Sequence, residues 1–483
     1  MTDDRYHRSE HFINGEFRPA HSNARIELVD PATEEVFGST AFGDAADVDD
    51  AVRAAKAALP AWSALEPKER GDYLRKLADA MEKRIDVIAE TVSKENGTPI
   101  SLSKAMQGMP PANYRYFAGL ADAFVPEEHR ETMAGDAFIQ RMPVGVVGAI
   151  VPWNGPQPLI AWKIGPALAA GCTVVVKPAA ETSLDAFYFA EAAQEAGFPP
   201  GVVNMITGGR ETGAKLVEHP DVAKIAFTGS TRAGRQIAEQ CGKDFKHVTL
   251  ELGGKSAGIL LDDVVLEDFK PFVMSALTPN TGQTCRALTR ILAPRERYDE
   301  IVDFIADTMK STPLGEPSNP SNFYGPLVNK SQYEKVMSYL DLGKSEGAEI
   351  VTGGGRPEGF DKGYYVAPTV FKNVTNDMRI AREEIFGPVI VVMPYDSIDE
   401  AIEIANDSEY GLGGGVFSPD EDRATDVARR IVSGTVSVNA ASCPMDVPFG
   451  GIKNSGMGRE LGPDALEPYT VTKTIFRTPV ASA

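Results

Sequence analysis

The residues with the clearest chemical potential are Cys285, in the segment 280–286 (NTGQTCR), and Glu251, in the segment 251–255 (ELGGK). A thiol attacks a carbonyl as its thiolate, which a positive charge, a helix N-terminus or a nearby base must favour. A carboxylate can then take a proton from water in a later step. The pair predicts nucleophilic catalysis at a carbonyl, with a carboxylate as general base.

Gly282 lies shortly before Cys285 and has no side chain. We expect it to permit the close approach of a flat ligand, or of a reacting carbonyl flanked by backbone N–H donors. Unpaired cysteines are more often small buried hydrophobic residues than nucleophiles. Cys285 alone therefore does not establish the chemistry, and the rest of the sequence must support it.

Several segments that span most of the chain together resemble one family, the NAD(P)-dependent aldehyde dehydrogenases. The matching segments are 280–285 (NTGQTC), 251–255 (ELGGK), 152–154 (PWN), 227–231 (FTGST) with Gly234, 383–389 (EEIFGPV), 448–451 (PFGG), Lys453, 455–456 (SG) and 458–460 (GRE). Each could arise by chance, but their joint order is hard to imitate.

The resemblance implies that Cys285 attacks an aldehyde to give a thiohemiacetal, whose oxyanion binds the Asn154 side chain and the Cys285 N–H. Hydride transfer to the nicotinamide leaves a thioester, and Glu251 activates the water that hydrolyses it. A glutamate has an ordinary pKa of about 4.3, so partial burial beside Leu252 should raise the pKa of Glu251. Lys163 and Glu460 match residues that are sometimes assigned to proton relay.

Nine residues match cofactor-contacting positions of the family: Pro152, Trp153, Lys177, Gly209, Gly229, Ser230, Leu252, Glu384 and Phe386. A helix that opens at Thr231 would offer N–H groups and a positive dipole end to a pyrophosphate. By resemblance, Lys177 contacts the adenosine ribose and Glu384 the nicotinamide ribose, with Phe386 close to the cofactor. Alternatively, Lys177 is a solvated charge at a strand end and Trp153 a core residue.

The sequence departs from the family at Ala180, where Lys-Pro-x-Glu is frequent and this chain has its glutamate at Glu181. A carboxylate there accepts ribose hydroxyls and repels a 2′-phosphate. We expect NAD as the cofactor, with NADP possible because of Ala180. No arginine beside Ala180 in the sequence offers itself to a phosphate.

Bulk composition excludes several classes of function. The chain has 483 residues, 43% hydrophobic residues and a net charge of -20. Its length predicts two or more domains, and its charge disfavours nucleic-acid and anionic-membrane partners. The N-terminus lacks a signal-peptide pattern, which predicts a cytoplasmic protein. The four cysteines are widely spaced without a CxxC pair, so we expect neither a metal site nor a disulfide scaffold.

Apolar runs that alternate with helical patterns predict a doubly wound α/β domain. The runs are 144–151, 173–176, 202–206 and 222–227, and the helical patterns are about 157–170, 183–196, 211–218 and 231–241. Ligands of such sheets bind at the carboxyl ends of the strands. Asn154, Lys177, Gly209 and Gly229 each follow or end such a run.

A second α/β domain is predicted after Gly254 from further apolar runs at 257–261, 389–393 and 434–438. The predicted fold class is α/β and aldehyde dehydrogenase-like, with two doubly wound domains and a small β oligomerisation segment. The predicted divisions are a dinucleotide-binding domain (1–122 and 144–253), a catalytic domain (254–465) and the oligomerisation segment (123–143 and 466–483). The alternating pattern at 469–476 is compatible with an exposed strand, and a homodimer or homotetramer is expected.

The substrate, a small-molecule aldehyde, is poorly determined by the sequence. Gly155 replaces an aromatic residue of many relatives and should widen the entrance. The pocket is expected to contain residues 440–446, Thr284, Arg286 and Tyr114. Arg286 could attract an acidic substrate or point away.

The sequence disfavours three alternative functions. A CoA-acylating aldehyde dehydrogenase is disfavoured by Glu251, which hydrolysis needs. A binding protein without turnover is disfavoured by the intact Cys285, Glu251 and Asn154. A papain-like hydrolase would need a histidine base, and none of the six histidines has a suitable neighbourhood.

Overall fold

The computed structural model describes residues 4–441 and 443–478. Its strands are β1 (His7–Arg8), β2 (Glu10–Ile13), β3 (Glu16–Pro19), β4 (Arg25–Asp30), β5 (Glu35–Ala41), β6 (Glu127–Thr132), β7 (Gly135–Pro143), β8 (Val146–Ile150), β9 (Thr173–Lys177), β10 (Val203–Met205), β11 (Val222–Thr228), β12 (His247–Glu251), β13 (Ala257–Leu260), β14 (Arg290–Pro294), β15 (Glu349–Thr352), β16 (Thr369–Lys372), β17 (Val389–Tyr395), β18 (Gly413–Phe417), β19 (Thr435–Val438), β20 (Gly456–Met457) and β21 (Thr470–Arg477). Its α-helices are α1 (Ala45–Ser63), α2 (Pro67–Glu82), α3 (Ile85–Asn96), α4 (Ile100–Gln107), α5 (Met109–Ala123), α6 (Pro156–Ala170), α7 (Asp185–Glu195), α8 (Arg210–Glu218), α9 (Thr231–Lys243), α10 (Leu266–Phe272), α11 (Tyr298–Ser311), α12 (Lys330–Ser345), α13 (Arg379–Arg382), α14 (Ile398–Asn406) and α15 (Glu421–Ala428).

The first large sheet has the order β20-β12-β11-β8-β9-β10-β2-β3. Its five central strands are parallel, and every residue of β8 and β9 is buried, as their apolar runs predict. The chain moves outward from β8 through β9 and β10, then returns to β11 on the other side of β8. This reversal creates a crevice at the carboxyl ends of β8 and β11.

The second large sheet has the order β15-β16-β17-β14-β13-β18-β19, with all strands parallel except β15. Apolar clusters cover both faces of each sheet. The predicted α/β class with two doubly wound layers is therefore confirmed.

One strand departs from the predicted division of the chain. β20 lies within 254–465, yet it pairs antiparallel with β12 in the first sheet. The pairing depends on Gly456, which has a φ of +132° and where a Cβ would lie 1.9 Å from the Leu250 carbonyl oxygen. The domain boundaries stay a prediction. They assign β20 to the catalytic domain, although β20 pairs with a strand of the first sheet.

A small antiparallel sheet, β21-β7-β6, joins the segments 123–143 and 466–483. β21 lies at its edge, and Met142, Ile475 and Phe476 are exposed apolar residues of this sheet. A fourth sheet, β1-β5-β4, was not predicted. It contacts the second large domain, because the Gly363 N–H donates to Glu34 Oε1 at 2.8 Å. No helix of the described residues is long and apolar enough to cross a membrane.

Candidate active site

Cys285 follows a left-handed turn that reverses the chain beyond α10. Asn280 and Thr281 have φ values of 52° and 56°, a region that non-glycine residues rarely adopt without support. The Thr98 hydroxyl donates to Asn280 Oδ1 at 2.9 Å, and the Gly325 N–H donates to Thr281 Oγ1 at 3.0 Å. Side chains and backbone from outside the segment therefore fix the position of Cys285.

Gly282 serves the packing of the protein, and the expectation that it faces a ligand or a reacting carbonyl is wrong. Its φ is +74°, and a Cβ there would lie 2.0 Å from the Gly387 carbonyl oxygen. The group that approaches Gly282 is thus the backbone of the segment 383–389. This contact brings the segment that carries Glu384 against the segment that carries Cys285.

Asn154 lies in the loop between β8 and α6 and reaches the segment of Cys285. Its side-chain amide donates to the Gln283 carbonyl at 2.9 Å, and its own carbonyl accepts from Asn280 Nδ2 at 3.2 Å. An amide NH₂ has two donors, so the second remains for an oxygen beside Cys285. Within the described residues, the Cys285 N–H makes no backbone hydrogen bond and is a second available donor.

Glu251 ends β12 and is 3% exposed. Neither carboxylate oxygen has a hydrogen-bond partner within the described part of the chain. Burial and the neighbouring Glu460 carboxylate raise the pKa of Glu251 well above its usual range, against the opposing cations of Lys163 and Arg459. Glu251 can therefore accept a proton near neutral pH, which an ordinary surface glutamate cannot do well.

The two glycines of the 251–255 segment are required for space. A Cβ at Gly254 would lie 2.6 Å from the Cys285 carbonyl oxygen, and one at Gly253 would lie 2.6 Å from Glu384 Oε2. The Gly254 N–H also donates to Glu384 Oε1 at 3.0 Å. The segment after Glu251 thus receives both the nucleophile segment and the Glu384 carboxylate at close range.

The Cys285 thiol is half-buried and strongly perturbed. Burial, followed by the charges of Glu384 and Glu251, raises the pKa of Cys285 to about 12, while the cation and backbone N–H of Arg286 oppose the shift. The thiol is therefore protonated at neutral pH in the protein without ligands. Forming the thiolate requires proton removal together with a compensating positive charge.

Lys163 does not contact Cys285 directly but belongs to a buried ion pair beside Glu251. Its Nζ donates to Glu460 Oε1 at 2.7 Å and to Thr228 Oγ1 at 2.5 Å. Both charges of the pair act on the pKa of Glu251. The structure thus brings Lys163, Glu460 and Glu251 together. The proton-relay role that the resemblance implies for Lys163 and Glu460 stays a prediction.

A cleft of about 580 Å³ lies at the carboxyl ends of β8, β9 and β11. Six of the nine predicted cofactor residues line it: Pro152, Trp153, Lys177, Gly209, Gly229 and Ser230. Ser230 caps α9, with its Oγ accepting from the Ala233 N–H at 3.3 Å, so the positive end of α9 faces the cleft. The shape and charge of the cleft fit a dinucleotide.

Lys177 is buried, so the alternative of a solvated charge at the strand end is wrong. Its Nζ donates to the Gly208 carbonyl at 2.9 Å. Burial lowers the pKa of Lys177 to about 8, while Glu181 and Glu211 oppose the shift. The lysine is thus a fixed donor on the cleft wall.

The other three predicted cofactor residues lie outside the lining of this cleft. Phe386, with a φ of 63°, packs edge-on against Trp153 with ring centroids 5.4 Å apart. Glu384 meets Gly254, as described above, and Leu252 packs at Gly234, where a Cβ would lie 2.6 Å from Leu252 Cδ2. Phe386 and Glu384 connect the cleft with Cys285, because they border Trp153 on one side and Gly254 on the other.

Sequence reasoning missed several residues around the cleft. Gln332 Nε2 donates to the Ile385 and Phe386 carbonyls at 3.0 and 2.7 Å, and no local pattern pointed to it. Arg210 and Arg232 line the cleft together with Ala180 and Glu181. The prediction considered only arginines beside Ala180 in the sequence and did not single out these two, although Arg210 directly follows the predicted Gly209 and could have been noticed.

The expected substrate-side residues divide into two groups. Ala440, Ala441 and Cys443 line a small cavity of about 30 Å³ together with Arg286 and Phe449. Ser442, also expected there, lies outside the described residues. Thr284 instead turns back to donate to the Pro279 carbonyl at 3.2 Å, and Tyr114 is fully buried.

The space beside Gly155 is partly filled. A Cβ there would lie 3.4 Å from Met106 Cε and 3.7 Å from Leu159 Cδ1. Trp162 packs edge-on against Phe449 with centroids 5.4 Å apart. The apolar cluster against which Cys285 packs also receives Leu159, Trp162, Cys443 and Met445, so the half-buried thiol lies against an apolar part of the protein.

Comparison with known proteins gives one consistent result. The model of the aldehyde dehydrogenase family matches residues 17–475 of this chain. The chain is 47% identical to a geranial dehydrogenase of Castellaniella defragrans over 469 residues, covering 96% of this chain and 98% of the relative. It also resembles a crystal structure of a Mycobacterium tuberculosis aldehyde dehydrogenase complexed with NAD⁺ (TM-score 0.96, 43% identity, 99% of each chain). Aldehyde dehydrogenase C of Pseudomonas syringae, solved as a cysteine-to-alanine mutant with NAD⁺ and octanal, is similar (TM-score 0.94, 40% identity, 98% of each chain).

The Gly282 contact yields a test of how the nucleophile segment is held. Gly282→Ala forces a side chain into left-handed backbone and against Gly387, and we expect a loss of about 2–4 kcal/mol of unfolding free energy. Gly242→Ala is the matched control, since a Cβ there meets nothing within 4 Å and alanine favours a helix by up to about 1 kcal/mol. Thermal unfolding midpoints measure both, and equal midpoints for the two variants would contradict the packing role.

Proposed function

The chain belongs to the aldehyde dehydrogenase family, and we propose that Cys285, Asn154 and Glu251 carry its reaction. The enzyme oxidises an aldehyde to the carboxylic acid with a nicotinamide cofactor. The observation that carries the assignment of residues is the convergence of a perturbed thiol, an amide donor and an unpaired buried carboxylate beside a dinucleotide-sized cleft.

In the proposed first step, the Cys285 thiol gives up its proton to water, the sulfur forms a bond to the aldehyde carbon, and the carbonyl π electrons move to oxygen. The second N–H of the Asn154 amide and the Cys285 N–H stabilise that oxyanion, which is the largest electrostatic contribution expected of such a site. Because Asn154 is anchored to Gln283, two residues from the nucleophile, the donor needs no reorganisation during the step. The bound nicotinamide supplies the hydride acceptor.

In the second half of the reaction, Glu251 removes a proton from water. The resulting oxygen nucleophile attacks the Cys285 thioester, the C–S bond breaks, and the acid leaves. Both oxygens of Glu251 are buried and have no hydrogen-bond partner in the described part of the chain, so their acceptor capacity remains for a water admitted during the reaction. The Lys163–Glu460 ion pair beside Glu251 supports a role of Lys163 in proton transfer after hydrolysis.

The nine predicted cofactor residues divide between the two halves of the cofactor. The N-terminus of α9, with Gly229 and Ser230, suits a pyrophosphate, and Lys177, Gly209 and Pro152 suit the adenosine half. Trp153, Leu252, Glu384 and Phe386 lie toward Cys285 and suit the nicotinamide half. A CoA-acylating reaction has no supporting observation, and Glu251 favours hydrolysis.

For the choice of cofactor, we propose that NAD is preferred and NADP is accepted. Glu181 lines the cleft beside Ala180 and accepts from Asn329 Nδ2 at 3.3 Å, which leaves a carboxylate near the ribose. Arg210 and Arg232 provide positive charge on the same wall. The absence of a glutamate at position 180 removes one source of repulsion toward a 2′-phosphate.

For the substrate, we propose an apolar aldehyde of medium length. The apolar cluster against which Cys285 packs includes Phe449 and also receives Leu159, Trp162 and Met445. No acidic or basic side chain other than Arg286 lines the described part of the small cavity beside Cys443. The names of two relatives agree with this chemistry, since one is a geranial dehydrogenase and another was solved with octanal.

We further propose a cytoplasmic homodimer or homotetramer. β21 is an edge strand, and the exposed apolar residues Met142, Ile475 and Phe476 lie on its sheet. An unpaired edge with apolar side chains favours pairing with another chain. The cytoplasmic location rests on the free thiols of the described residues.

NADH formation tests the catalytic assignment. Cys285→Ser should abolish turnover, whereas Glu251→Gln should release about one NADH per active site and then stall, because the thioester cannot be hydrolysed. In the wild type, kcat should rise with pH through the raised pKa of Glu251, since only the ionised form accepts a proton. Dependence of the wild type on added CoA would contradict hydrolysis.

A series of aldehydes tests the substrate proposal. We expect kcat/KM to rise from propanal to octanal and to remain high for geranial, by about tenfold for each two methylene groups buried. Succinic semialdehyde, which adds a charge to a short chain, is the control. A preference for the semialdehyde over butanal would sink the apolar assignment.

The variant Ala180→Glu tests the proposal on cofactor choice. The new carboxylate should lower kcat/KM for NADP by at least about tenfold and leave that for NAD within about twofold, because repulsion acts only on the 2′-phosphate. Arg210→Met and Arg232→Met should likewise affect NADP more than NAD. Unchanged NADP kinetics in all three variants would count against the proposed site of discrimination.

A further inference from the structure

Arg286 follows the nucleophile, and its side chain turns toward the substrate-side loop. The guanidinium Nη1 donates to the Ala441 carbonyl. Ala441 belongs to the loop 439–446, which leaves β19 and includes Cys443 and Met445. The arginine therefore links the segment of the thiol directly to the wall of the substrate approach.

The described part of this loop is also held at its two ends, and the Ser437 hydroxyl donates to the Ala440 carbonyl at 2.9 Å. Asn439 exchanges hydrogen bonds with the backbone of Ser418 at 2.6 and 3.0 Å, and the Gly462 N–H donates to the Met445 carbonyl at 3.0 Å. Between these anchors, Arg286 provides the contact at Ala441. Without it, a described stretch of the substrate wall would lose its bond to the nucleophile segment.

The charge of Arg286 is also unusual. Its side chain is half-buried beside Leu288, Leu412 and Phe449, and no carboxylate of the described residues forms an ion pair with it. Arginine stays protonated even when burial lowers its pKa. An unpaired, poorly solvated cation thus lies next to Cys285, where the other charged neighbours are the carboxylates of Glu251, at the end of β12, and Glu384, before β17.

These observations disfavour an acidic substrate as the partner of Arg286. The guanidinium donates to a backbone carbonyl, and the cavity that it lines, of about 30 Å³, holds about two water molecules rather than an extended acidic chain. The same placement suits two other tasks, since the side chain can hold a loop and its charge can act on the neighbouring sulfur.

We propose that Arg286 is a positioning residue with two effects: it holds the loop 439–446 against the nucleophile segment, and its unpaired charge favours the Cys285 thiolate. The proposal rests on Cys285 as the nucleophile. It goes beyond the assignment of the reacting groups, because it makes the shape of the substrate wall and the reactivity of the thiol depend on one side chain.

Alkylation of the thiol tests the effect of charge. In a Cys443→Ser background and without cofactor, the rate of carbamidomethylation of Cys285 by neutral iodoacetamide is followed by peptide mass spectrometry between pH 7 and 10. Arg286→Met should slow the reaction about tenfold at each pH, as expected for a thiol pKa raised by about one unit. Arg286→Lys should stay within about twofold. Equal rates in the Met variant and its parent, or equal slowing by Lys and Met, would overturn the charge effect.

Steady-state kinetics tests the effect on the loop. Both Arg286 variants should raise KM for octanal by about fivefold or more and KM for propanal by less than twofold, because only the longer chain reaches the loop. An unchanged KM for octanal would overturn the proposed effect of Arg286 on the loop. Arg429→Met, which removes an exposed arginine that pairs with Asp426 alone among the described residues, is the control. Retained activity of Cys285→Ser would instead refute the nucleophile assignment, so the two failures are distinguishable.

Discussion

The active site depends on ionisable side chains that are buried, where water solvates them poorly. Cys285, Glu251 and Glu384 converge at the junction of the two large sheets, and burial disfavours the charged form of each. Two carboxylates beside a thiol would make its ionisation harder still. The site therefore needs positive charge from other groups. The possible sources are Arg286, the positive end of α9 and the bound cofactor.

Close backbone approach makes this convergence possible. Gly253, Gly254 and Gly282 each lie against a group that a side chain would displace: a Glu384 carboxylate oxygen, the Cys285 carbonyl and the Gly387 carbonyl. Only at Gly282 does the backbone conformation also require glycine. The glycines of the family motifs thus act mainly by removing volume between segments that are distant in the sequence, which is why several short motifs must occur together.

The parts of the fold that follow from local pattern could be predicted from the sequence. Apolar runs placed β8, β9, β10 and β11, and with them the positions of Asn154, Lys177 and Gly229 at the strand ends. Contacts between distant segments could not be derived in this way. No periodicity indicates that β20 joins the first sheet, that Gln332 holds the Phe386 carbonyl, or that Arg232 shares a cleft with Ala180, because these depend on contacts between segments that are distant in the sequence.

The ion pair of Lys163 and Glu460 shows why Glu251 can serve as a base without being permanently charged. A lone buried glutamate would remain protonated, and a glutamate paired directly with lysine would be ionised and a weak base. Here the lysine binds Glu460 at 2.7 Å, so its charge is largely compensated before it reaches Glu251. The negative partner then raises the pKa of Glu251 while the cation limits the rise. Burial is the largest cause of the raised pKa, and the balance of these two charges adjusts it. Burial and the ion pair together would therefore set the pH at which the proposed hydrolysis of the thioester occurs.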